Sequence, residues 1–233
     1  MAVKHDATTT DTVSAVASRT VSHPVGNGDS RILIVTAVAE NTVTPANTPV
    51  VSITYAGQPL TKVNNQSFSG GNENVEQWYL LNPPVGTWDC VVTWTGSCDV
   101  GVIVSSYFNV AQRGPEDNNI ATGTGLAFSA NALPTSNQAL VYSSLMDQSS
   151  SSTLTLDAGP TQRANVTFAG FFKEGSAETI QAGAPSVVTH SWTSGASHTW
   201  GMVCAAYGSA PPKPLGARLR SLRPAIFKPG RTR

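Results

Sequence analysis

Apolar residues along this 233-residue chain fall into short runs or strict alternation, separated by Gly, Pro, Asn and Asp clusters. Residues 31–38 (RILIVTAV) are almost continuously apolar, the pattern of a central strand buried on both faces. In residues 86–94 (GTWDCVVTW), alternation puts Trp88, Cys90, Val92 and Trp94 on one face and Asp89, Val91 and Thr93 on the other. Val100, Val102, Val104 and Phe108 resume that alternation after Thr95, Gly96 and Ser97. This predicts a hairpin around Gly96 with Trp88, Val92 and Trp94 on a buried face. Residues 76–81 (EQWYLL) run into Asn82-Pro83-Pro84, which stops pairing. Later strands are predicted at 120–129, 139–146, 153–156, 165–172, 186–193 and 197–207, the last two joined around Ser194-Gly195-Ala196. The four serines 149–152 read as an exposed loop tip.

Helical spacing occurs only near the C-terminus, where Leu215, Leu219, Leu222 and Ile226 follow a 4-3-4 rhythm that Pro224 limits to about two turns. Many short strands and no body helix predict an all-β fold, a two-sheet β-sandwich of jelly-roll or immunoglobulin-like kind. No internal repeat is visible. The expected organisation is therefore an N-terminal arm (1–12), one sandwich domain (13–209) and an extended, Pro/Arg-rich basic C-terminal arm (210–233).

Charge sharpens that boundary. The last 24 residues hold seven Lys/Arg and no acid, whereas the preceding 209 hold all fourteen acids and only seven Lys/Arg. Such asymmetry marks an interaction tail. The candidate assembly-binding residues are Lys213, Leu215, Arg218, Leu219, Arg220, Leu222, Arg223, Ile226, Lys228, Arg231 and Arg233. Five of them are arginines, suited to bidentate contact with carboxylate or phosphate. Acidic protein surfaces are the expected partners, and packaged nucleic acid is a less favoured one. The chain is 12% charged, against about 25% in ordinary domains. Ser, Thr, Asn and Gly replace the missing charge. No run of 18 apolar residues and no signal-type leader is present, so neither membrane insertion nor secretion is expected.

Reactive motifs are missing. There is no nucleophile elbow, no phosphate-cradling glycine loop and no metal-ligand spacing, so no catalytic residue, metal or cofactor is expected. His190, Trp192, His198 and Trp200 flank the last turn. They suit either a recognition patch or, more simply, the filling of the sandwich. Cys90 and Cys98 flank the Gly96 turn, but a tight hairpin sets Trp94 rather than Cys90 against Cys98. Free buried thiols are the expected state of all three cysteines.

The most specific pattern lies in residues 20–95, which read TVSHPVGNGDSRILIVTAVAENT, then VVSITYAGQPLTKVNN, then VEQWYLLNPPVGTWDCVVTWTG. This resembles a β-sandwich module of bacteriophage decoration and tail proteins and of bacterial surface proteins. That module's pattern is a polar loop before RLLVV, then VTYGGxxLT, then an acidic residue before WYLxNPPxGT. The matching residues are 31–35, 53–57 and 76–84, with Ala56 where the module usually has Gly. The closing strand (198–207) is also similar. The resemblance implies a non-catalytic virion protein made in the host cytoplasm, a capsid decoration or head-fibre protein. Its arm would dock on the shell in several copies while its sandwich faces outward. The alternative it implies is a receptor- or glycan-binding domain of a tail or tail fibre, with a host-surface glycan as ligand.

Overall fold

The computed structural model describes residues 1–40, 50–148, 153–168, 172–183 and 185–212. The described residues form thirteen strands: β1 (Lys4–Val25), β2 (Ile32–Glu40), β3 (Val50–Tyr55), β4 (Gln58–Pro59), β5 (Thr61–Phe68), β6 (Glu73–Leu81), β7 (Gly86–Phe108), β8 (Asp117–Ala132), β9 (Leu140–Asp147), β10 (Leu154–Leu156), β11 (Thr161–Phe168), β12 (Phe172–Ile180) and β13 (Val188–Tyr207). One 3-10 turn, Ser69–Gly71, is the only helical element among the described residues. Two antiparallel sheets result. The first has the order β4-β3-β7-β2-β6-β5 with β1 also on β7, and the second β10-β13-β9-β12-β11 with β8 also on β13. The fold is all-β and compatible with a β-sandwich.

Several sequence expectations need correction. Residues 4–12 are not an arm; they open β1 and pair with the end of β7, Lys4 opposite Phe108. Gly96 does not turn a hairpin. β7 is one 23-residue strand, and β1 pairs along both its parts, with bulges between Val13 and Ser18. Gly96, at φ 84°, lies where the β1–β7 ribbon bends. The alternation survives on both sides of a bend as it does across a hairpin turn, so pattern alone does not separate the two. β13 repeats the arrangement, as a single 20-residue strand paired with β8 on both sides of residues 194–197. β12 went unpredicted because its sequence, FKEGSAETI, alternates poorly and carries Lys173, Glu174 and Glu178.

Bending lets each ribbon close over its own sheet. Leu33, Val35, Ala37 and Ala39 of β2 share one core with Cys90, Val92 and Trp94 from before the bend and Val100, Val102 and Val104 from after it. In the second sheet Val141 and Leu145 share a core with Phe128, Trp192, Met202 and Cys204. The opposite faces of β2 and β9 then meet. Ile32, Ile34 and Tyr107 pack with Leu140, Tyr142 and Tyr207, and Val38 and Val75 with Met146 and Val203. The expected single core between two sheets is thus replaced by one core inside each half and a seam between halves.

The halves are also built alike. β2 lies between β6 and β7 as β9 lies between β12 and β13, while β1 and β3 flank β7 as β8 and β10 flank β13. Register makes the equivalence residue by residue. Ile32 pairs with Tyr107 and Leu81, and Leu140 with Tyr207 and Ile180. Thr36 therefore corresponds to Ser144, Val38 to Met146, Val75 to Glu174 and Gly101 to Gly201. Contacts across the seam are reciprocal, with β1 against β11 matched by β8 against β5, and β7 against β11 by β13 against β5. The equivalent residues Thr36 and Ser144 touch, Oγ1 to Oγ at 2.6 Å, which places a pseudo-two-fold axis between them. The repeat is invisible in the sequence because equivalent positions share pattern but rarely identity.

Candidate functional site

The proposed assembly-binding residues, Lys213, Leu215, Arg218, Leu219, Arg220, Leu222, Arg223, Ile226, Lys228, Arg231 and Arg233, lie outside the described residues, as do serines 149–152. The root of the arm is described. Ala210 is buried, its carbonyl accepts from the Met1 ammonium at 3.2 Å, and its N–H donates to the Asn109 carbonyl at 2.7 Å. Met1 and the root of the arm therefore meet at one end of the molecule, where β7 and β13 finish.

That end also gathers exposed apolar side chains. Val85 and Trp88 lie at the tip of the first half's ribbon, and Leu133 and Val187 at the tip of the second. Trp88 corrects the expectation that it is buried, since it is 47% exposed. It stands at the open end of the ribbon, where its Nε1 donates to the Val85 carbonyl at 3.0 Å and its ring edge covers Gly86. Val92 and Trp94 are buried as expected.

The letters of the 20–95 pattern have structural roles in the described body. Arg31 donates to the carbonyls of Pro83 and Gly28 and to Asn82 Oδ1, clamping the Asn-Pro-Pro stop. Ala56 and Gly57 have φ of 50° and 77°, the paired left-handed geometry of a tight hairpin turn between β3 and β4. Glu76 is fully buried and accepts from Val50 N–H, Asn74 Nδ2 and Trp78 Nε1, with Lys62 Nζ at 2.7 Å. It ties β3, β5 and β6 together.

Three members of the His/Trp group are interior, and His198 is half-buried. His190 and Trp192 are fully buried and Trp200 is 8% exposed. His190 bonds Ser143 Oγ at 2.8 Å and Thr179 Oγ1 at 3.1 Å, and burial holds its pKa down at about 4. Trp200 packs on Phe128. These residues fill the second half rather than form a patch. Cys90, Cys98 and Cys204 are free and buried, and burial pushes each thiol up to about 12. Such thiols are not nucleophiles at neutral pH.

Asp6, Ser106 and His23 come together, a grouping no sequence motif announces because Asp6 and Ser106 are 100 positions apart. Ser106 Oγ donates to Asp6 Oδ2 at 2.7 Å and lies 3.2 Å from His23 Nε2, while His23 Nδ1 faces Thr9 Oγ1 at 2.9 Å. An acyl-transfer triad needs the histidine between acid and serine. Here the serine lies between them, and serine and histidine are fully buried. Burial lowers the His23 pKa to about 4, partly opposed by Asp6, so the ring is neutral. The trio therefore seals the β1–β7 ribbon and cannot activate its hydroxyl.

At the end opposite the arm's root, Glu40 pairs in register with both Glu73 and Asp99. Burial raises Glu40 and Glu73, and raises Asp147 to about 6 against the pull of His198. Glu174, on the seam face of β12, is fully buried and neither carboxylate oxygen has a hydrogen-bond partner. Among the described residues, no group of three or more His, Cys, Asp or Glu is placed to hold a metal ion.

A scan against models of known protein families and a search of characterised proteins each return no match to this chain.

Proposed function

We propose that this chain is a structural protein of a bacteriophage particle, a capsid decoration or head-fibre protein anchored by its basic arm. The observation that carries the reading is the partition of charge between body and arm. Within the body, Arg19, Lys62, Arg113 and Arg163 are ion-paired to Asp11, Glu76, Glu116 and Glu178, and Arg31 holds a turn. The arm's seven cations have no acid in their own segment. Because the arm starts beside Met1 at one end of the body, anchoring there leaves the opposite end facing outward. The resemblance of residues 20–95 to phage decoration modules supports the same reading. We read each half as jelly-roll-like, since a long folded ribbon forms its frame.

Co-sedimentation with particles of the encoding phage tests this. The full chain should pellet with particles. A chain ending at Pro212, and one with Arg218, Arg220 and Arg223 changed to Glu, should stay in the supernatant while remaining folded. Full occupancy by the truncated chain would make the body the anchor and overturn the reading. Pelleting with naked DNA but not with intact shells would point to packaged nucleic acid.

A second reading, recognition of a host glycan by a tail protein, draws on one observation, the half-exposed Trp88 ring. Loss of glycan-array binding on Trp88→Ala would favour it.

A further inference from the structure

Among the described residues of the seam, Glu174 is a buried acid with neither carboxyl oxygen partnered. Glu174 replaces, in the second half, the position that Val75 fills in the first. Its carboxyl fits against Gly101, where an added Cβ would collide with Oε2 and lie 2.9 Å from Val38 Cγ2. Both oxygens are buried without a partner. An ionised carboxylate in such a place is strongly disfavoured, whereas the neutral acid costs far less.

We propose that Glu174 makes the seam a proton-dependent joint, closed while its carboxyl is neutral and opened at the end away from the arm's root when the carboxyl loses its proton to solvent. The surrounding elements offer no compensating charge. β2 presents Val38, β7 presents Gly101, β9 presents Met146 and the Tyr142 hydroxyl, and β11 pairs Val166 with Glu174. One pleat further on the same face stand Glu40, Glu73 and Asp99, all acids. Lys173 points to the opposite face by alternation, and Arg163 is bound to Glu178. Ionisation of Glu174 therefore adds an unpaired anion beside further carboxyls. Burial raises its pKa well above the ordinary value, in keeping with this geometry. For an acid raised on folding, the contribution to stability is complete below the unfolded pKa and is lost as pH rises toward the folded one.

Hydrogen exchange of the full chain from pH 5 to 9, corrected for intrinsic rates, tests the joint. In the wild type, the opening constant of amides in β2 and β12 should rise up to about tenfold per pH unit. In Glu174→Gln that rise should flatten, while amides of β3 and β10 behave alike in both proteins. Should the Gln variant fail to fold, Glu174→Val, which copies Val75, serves in its place. The wild type alone supplies a second readout, an infrared band of a protonated carboxyl persisting at pH 8. Equal slopes in wild type and variant, or absence of that band, would overturn the proposal.

Discussion

Glu76 shows how much of this fold depends on single polar residues. Its two oxygens take bonds from the backbone of Val50 and the side chains of Asn74 and Trp78, with Lys62 completing the set. Replacing it with Ala strands these donors in the interior and should cost ~3–5 kcal/mol. Lys62→Ala should cost far less, since Lys62 is one-third exposed. Urea titration of both variants checks the ranking, and equal losses would show that the ion pair rather than the donor cage matters. Ala56 presents the opposite case. A left-handed backbone disfavours a Cβ, so Ala56→Gly should raise stability by ~0.5–1 kcal/mol despite the extra freedom of the unfolded chain. Both residues stand out in the sequence, one as an acid before an aromatic pair and the other as the non-Gly member of its turn pair. Glu174 does not. It looks like any surface acid in a polar segment, and only the register that sets it opposite Gly101 reveals it.

The folded ribbon is the element that organises each half, and it was half legible. Alternation located its two parts in β7 and β13 correctly. It could not tell a bend from a hairpin, because side-chain direction along a strand is blind to how the partner strand continues. Where the ribbons press against the other half, glycine becomes necessary. Gly101 leaves room for Glu174 and Gly201 for Phe68, whose ring would lie 2.5 Å from an added Cβ. Gly101→Ala and Gly201→Ala should each cost ~1–3 kcal/mol, read as a lower melting midpoint. Gly125, with open space around it, should tolerate Ala. The ribbons' buried histidines set an acid limit. His23 and His190 stay neutral down to about 4 when folded but take up protons below about 6.5 when unfolded. Their contribution is complete above that unfolded value and is lost as pH falls toward 4. His190→Asn should therefore decline less between pH 6.5 and 4 than the wild type in thermal melts. An unchanged acid limb would assign it to other groups.

At the scale of the molecule, the charge partition survives in sign but shrinks in size. Burial holds Glu174 toward its neutral form, so the body carries less negative charge than its residue count suggests. Composition marks a basic C-terminal segment but not the doubled body, whose halves share topology and register while their residues diverge. That doubling is the central structural claim, and the axis between Thr36 and Ser144 is where it is most exposed to test. Two cysteines placed there, Thr36→Cys with Ser144→Cys, have Cβ substituents within disulfide reach if the halves stack as described. Mild oxidation of the folded double variant, followed by intact-mass and peptide mapping, should show a disulfide joining the two substituted positions in nearly every molecule, with Cys90, Cys98 and Cys204 still free. If both introduced thiols remain reduced, or pair with the native cysteines instead, the two halves do not meet across that axis.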